Sequence, residues 1–130
     1  MDVMPVDLWP PDLKTPASRT PVQILREQAS LLTRKTNGLL EGEIVTITGD
    51  KGLIHRFNIV VIALGGYVYR LLSISHAADN LYPIAVLEPA SNETTLNDEA
   101  SLVEWLRQVL GSENTRRVVS ILLAQIDPAA

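Results

Sequence analysis

The run from His55 to His76 constrains the fold more than any other part of the chain. Two β-rich halves, His55 to Leu64 and Tyr67 to His76, flank Gly65-Gly66. Such a junction predicts a β-hairpin, because glycine readily enters the positive-φ turns whose twist matches that of paired strands. With a two-residue turn, Leu64 pairs with Tyr67 and the register follows from that pair. One face then carries His55, Phe57, Ile59, Val61 and Ala63 opposite His76, Ile74, Leu72, Arg70 and Val68. The other carries Arg56, Asn58, Val60, Ile62 and Leu64 opposite Ser75, Ser73, Leu71, Tyr69 and Tyr67.

Helical signals flank this hairpin. Thr20 is an N-cap, Pro21 suits the first helical position, and Gln23 completes a capping box. Val22, Leu25, Ala29 and Leu32 then recur at helical spacing, and Asn37-Gly38 supplies a left-handed stop. Strands are expected over Leu40 to Thr48, Ile54 to Leu64, Tyr67 to Ser75 and Leu81 to Glu88. Pro83 marks the last as an edge, since proline removes a ladder donor. Pro89 to Asn97 reads as a polar loop. Thr95 or Asn97 then caps a helix running to about Leu110, with Leu102, Val103, Leu106, Val109 and Leu110 inward and Trp105 at the margin. Ser112 caps a last helix over Glu113 to Gln125.

The predicted fold is α+β: an N-terminal helix, a four-stranded antiparallel meander, and two C-terminal helices, packed mainly on one sheet face. It forms a single domain over 20–127, preceded over 1–19 by an extended arm. Five of the chain's eight prolines fall at Pro5, Pro10, Pro11, Pro16 and Pro21, a density that forbids a helix. Leu8 and Trp9 in this arm are expected to pack on the edge of the core; a partner protein is the other place for them to dock.

A sheet covered on one face leaves the other to solvent. In the expected register that open face carries Val60, Ile62, Leu64, Tyr67, Tyr69 and Leu71 together at the hairpin end. So large an apolar patch is unusual on a monomer. A second copy, the arm or a different protein would cover it, unless a helix wraps round to that side.

Sites for chemistry are sparse. His55 and His76 are the two histidines, and the expected register sets them opposite each other, close enough to share a metal but short of the three or four ligands a site needs. Glu41 and Glu43 share a strand face, Asp98-Glu99 suits a helix start, and Arg34-Lys35 and Arg116-Arg117 read as solvated helix faces. No Gly-x-Ser-x-Gly elbow, P-loop, dinucleotide fingerprint or His-Glu-x-x-His occurs. With no cysteine there is no disulfide, thiolate metal site or cysteine nucleophile. A net charge of −4 gives no general pull towards phosphate backbones. The N-terminus lacks a signal pattern and the longest nearly uncharged run, Phe57 to Tyr69, is too short to span a bilayer, so a cytoplasmic protein without nucleic-acid or membrane partners is expected.

These observations point to a non-catalytic protein–protein interaction module, a homodimer associating through the hairpin end of the sheet, with no cofactor. Two other readings stand beside it. One is a small-molecule or metal-binding protein with its site at His55 and His76. The other is a partner-specific inhibitor or immunity-type protein, acidic to match a basic target.

Overall fold

A computed structural model describes residues 6–15, 19–50, 52–89 and 94–126. The described residues form α1 (Pro21–Lys35), β1 (Glu41–Gly49), β2 (Gly52–Val61), a 3-10 turn (Ile62–Leu64), β3 (Tyr67–His76), β4 (Ile84–Glu88), β5 (Thr95–Leu96), α2 (Glu99–Leu110) and α3 (Glu113–Ile126). All neighbouring strands are antiparallel, in the order β1-β2-β3-β4-β5. This is the expected α+β class, with one strand more than the expected four. Phe57, Ile59, Leu72, Ile74 and Ile84 from the sheet are buried together with Ile24 and Leu25 of α1, Leu102 and Leu106 of α2, and Leu122 of α3.

Local signals set the helix ends. The Thr20 side chain accepts from the Gln23 amide while the Gln23 side chain accepts from the Thr20 amide, and Pro21 opens the helix. Ile24, Leu25 and Ala29 are buried, so the inward stripe of α1 runs through Ile24 rather than Val22. Asn37 and Gly38, at φ 52° and 79°, turn the chain after α1. The cap of α2 is Asp98, one residue beyond the expected Asn97. Its carboxylate accepts from the Ser101 amide at 2.8 Å, and this bond holds the carboxyl below its ordinary pKa. Ser112 caps α3 as expected, accepting from the Thr115 amide at 3.2 Å.

α1 lies against β1 at very short range. A Cβ on Gly42 would sit 2.4 Å from the Ala29 carbonyl oxygen, so only glycine allows this approach. Thr33 Oγ1 accepts from the Gly42 amide at 3.0 Å and so occupies part of the free edge of β1.

Two expectations for the sheet need correction. β4 is not an edge: it pairs with β3 on one side and with β5 on the other. Pro83 stands just before β4 begins and so is not asked for a ladder hydrogen bond. The expected polar loop hides a two-residue strand, Thr95–Leu96, with Leu96 in the core. Such a strand is too short to show a periodicity.

The hairpin register also differs. The turn is not two residues: Val61 pairs with Tyr67, and Ile62 to Gly66 form the connection through a 3-10 turn ended by Gly65 at φ 71°. A bulge then falls between Phe57 and Asn58, so Phe57 faces Leu72, Asn58 faces Arg70, and Leu71 is the extra residue. The physical reason lies in Arg70. Strict alternation from the expected turn would place this guanidinium on the core face, and a buried unpaired charge is expensive. In the observed register Arg70 shares the open face with Asn58 and ion-pairs with Glu88 at 3.1 Å, while Leu71 joins Leu72 among the buried residues.

Candidate functional site

The altered register breaks up the expected six-residue patch. Tyr67 and Tyr69 sit opposite Val61 and Ile59, so they lie on the helix-covered side of the sheet. Val60 stays on the open face, opposite Val68. Leu71 is buried in the core at the bulge. Ile62 lies in the turn and is 65% exposed. The structure therefore brings Leu64, Tyr67 and Tyr69 together and separates Val60, Ile62 and Leu71 from them.

What meets Leu64, Tyr67 and Tyr69 is α3. Val118, Ile121 and Leu122 form the opposite wall of an open cleft of about 440 Å³, with Arg117 and Gln125 also lining it. Helical spacing explains the wall: Val118, Ile121, Leu122 and Gln125 fall on one face of α3. α3 fills this end of the molecule incompletely, since Leu122 is its one buried apolar residue. Tyr67 and Ile121 are 52% and 47% exposed, and Val68 is 49% exposed on the same strand. From Phe57 to Tyr69 the chain carries no charged side chain, so the one charge lining the cleft is Arg117 of α3. The part played by α3 was not visible in the pattern of the hairpin itself. The available signal was a helix with apolar residues spread over more than one narrow stripe, Val118, Val119, Ile121, Leu122 and Leu123.

The other end of the sheet holds the histidines. They are not register partners, since His55 faces Ile74 and His76 faces Leu53. They lie diagonally on one face, and their rings meet: Nε2 to Nε2 is 2.9 Å, with ring centroids 4.9 Å apart. His76 Nδ1 is 2.8 Å from the Ala77 carbonyl oxygen and 3.1 Å from that of Asn80. Both are acceptors, so Nδ1 carries a proton and, in the neutral ring, Nε2 accepts. His55 Nε2–H then donates to it, and His55 Nδ1 accepts from the Thr46 hydroxyl at 2.8 Å. Thr46, His55, His76 and the 77–80 turn thus form one directed chain of hydrogen bonds in which every ring nitrogen is engaged. Both rings are buried, at 2% and 7% exposure. Burial, then the neighbouring His76 and Arg26 of α1, push the His55 pKa from 6.5 down to about 4. The pair has no lone pair left to offer a metal, and among the described residues no three His, Cys, Asp or Glu side chains gather as ligands.

The remaining candidates are dispersed. Glu41 and Glu43 lie two apart on β1, with exposed side chains. Leu8 and Trp9 do not pack on the core edge: they are 88% and 73% exposed. No helix among the described residues is long and apolar enough to cross a membrane. Compared with protein-family models, curated proteins and solved structures, the chain has no significant match.

Proposed function

We propose that this protein is a non-catalytic protein–protein interaction module that works as a homodimer through the hairpin end of its sheet. The observation that carries the reading is the half-filled cleft between the hairpin and α3, with Tyr67 and Ile121 on its walls and Ile62 exposed on the adjoining turn. Apolar surface left open around a concave site is a favoured place for association. The contact surface shifts from the six residues expected from sequence to Leu64, Tyr67, Tyr69, Val118 and Ile121, with Ile62 at its border.

Light scattering coupled to size exclusion tests this at micromolar concentration. The expected mass is twice the 14.3 kDa of one chain. Ile121→Asp or Tyr67→Asp should return it to one chain with the far-UV circular dichroism unchanged. A wild-type mass of one chain across the micromolar range would overturn the homodimer.

A further inference from the structure

The cleft at the hairpin tip and the N-terminal arm are two apolar features of the described chain that stand open, and their chemistry matches. The arm is not shapeless. Asp7 Oδ1 accepts from the Trp9 amide at 3.0 Å, and the Leu13 amide donates to the Pro10 carbonyl at 3.4 Å, so two turns follow one another. Pro10 and Pro11 fix φ between them. The result is a preshaped segment that holds Leu8, Trp9 and Leu13 out at 88%, 73% and 68% exposure. Prior ordering lowers the entropy lost on docking, and tryptophan is the residue most often found as a binding anchor. Asp7 and Asp12 flank the exposed indole, while Arg117 lines the cleft. Aromatic and aliphatic walls with one cation thus face an aromatic and aliphatic segment with two carboxylates.

We propose that the cleft is filled by the Leu8–Trp9 segment of a second copy, so that two chains exchange their N-terminal arms. The inference rests on the homodimer reading and names the occupant of that same site. In the described chain Leu8 and Trp9 stand exposed rather than in the chain's own cleft. α1 ends beside the start of β1, and Glu41 pairs with Val60 near the hairpin tip, so the cleft lies towards the C-terminal end of α1. The arm enters at the opposite end of this 15-residue helix, about 22 Å away. The eleven residues from Trp9 to Thr20 could cover that distance, about 36 Å when extended, so it is the homodimer reading and not reach that chooses the second copy. Between two copies the exchange is isologous: each arm occupies the other's cleft, the contact closes on itself, and no third chain is recruited.

Complementation tests the exchange. Trp9→Ala removes the anchor and Ile121→Asp spoils the receptor, so each variant alone loses both contacts. Each is expected to weaken dimerisation by about 30-fold or more. An equimolar mixture keeps one good contact, the arm of the Ile121→Asp chain in the cleft of the Trp9→Ala chain. It should therefore form a dimer at concentrations where each variant alone has the mass of one chain. Tyr67→Asp replaces Ile121→Asp if the latter loses its circular dichroism signal. If the wild type is a dimer and Trp9→Ala dimerises equally well, the exchange fails while the homodimer stands. If the mixture stays monomeric beside a dimeric wild type, the exchange fails likewise. A monomeric wild type removes both.

Discussion

The two ends of the β2–β3 hairpin are built from similar β-forming sequence and treated in opposite ways. At the open end, His55 and His76 are buried and every nitrogen of their rings has a partner: with the exposed Thr46 and two carbonyls they form one hydrogen-bond chain. At the tip, apolar groups are exposed beside a cleft that α3 fills only in part. Satisfied polar groups in a close-packed setting define a single arrangement, and a change there is costly. A loosely filled apolar surface leaves freedom to bind. On the proposed reading this is a division of labour along one sheet: the histidine end holds the fold and the tip is left for association.

If that division is correct, glycines at the two ends should differ most. Gly52 has φ 144°, and a Cβ there would fall 2.3 Å from the His76 carbonyl oxygen and 2.8 Å from the Ala77 Cα. Backbone strain and a backbone clash combine, so Gly52→Val should cost about 3 kcal/mol or more. Urea unfolding monitored by circular dichroism measures this. A loss below about 1 kcal/mol would show that the histidine end yields easily and would break the comparison.

Acid should act next, and at the same end. His55 binds a proton more weakly folded, at about 4, than at its ordinary 6.5. Between these values the unfolded chain holds more protons than the folded one, so stability rises with pH. The contribution is fully present above about pH 6.5 and is lost as pH falls towards 4, on the order of 2–3 kcal/mol in all. A proton on His55 Nδ1 also forces the Thr46 hydroxyl from donor to acceptor. Titration of the His55 ring by NMR should show a midpoint near 4, and unfolding free energy should fall over the same range. A His55 midpoint at 6 or above would mean that the ring is more solvated than its 2% exposure indicates.

At the tip the corresponding glycine change should be milder. Gly65 has φ 71° with no atom within 4 Å of a Cβ. Gly65→Ala therefore meets the left-handed strain alone, about 1–2 kcal/mol, without a clash. A loss as large as that for Gly52→Val would mean that the tip is as tightly determined as the histidine end.

The same contrast governs what could be read in advance. Signals within a few residues were legible: the Thr20–Gln23 capping box, the Asn37-Gly38 stop and the Ser112 cap all stand where the pattern put them. The hairpin was legible as a hairpin but not in register. Counting by twos assumes an unbroken period, and the bulge that breaks it depends on Arg70 reaching Glu88, 18 residues away. Because that bulge compensates the longer turn, the faces of His55 and His76 came out the same, and the rings meet despite the wrong partners. Tyr67 and Tyr69 had no such compensation and changed sides. The cleft was beyond local reading altogether, because its second wall comes from α3, which no pattern inside the hairpin encodes.

The smallest expected change in stability separates folding from association at one residue. Ile62 is 65% exposed in the 3-10 turn and contributes little to the core, so Ile62→Asp should alter unfolding free energy by no more than about 0.5 kcal/mol. Its effect on association depends on how far the contact extends past the cleft. If the partner's surface spreads over the turn, a carboxylate there is desolvated against apolar groups and dimerisation weakens by about 10-fold or more. If the contact ends at Tyr67, the dimer tolerates the change. Sedimentation equilibrium on this variant beside Tyr67→Asp maps the border of the surface. Ile62→Asp should weaken the dimer less than Tyr67→Asp does, because Tyr67 lines the cleft and Ile62 stands beside it. The reverse order would move the centre of association from the cleft to the turn, and the tip would then act as the inserted element rather than as the receptor.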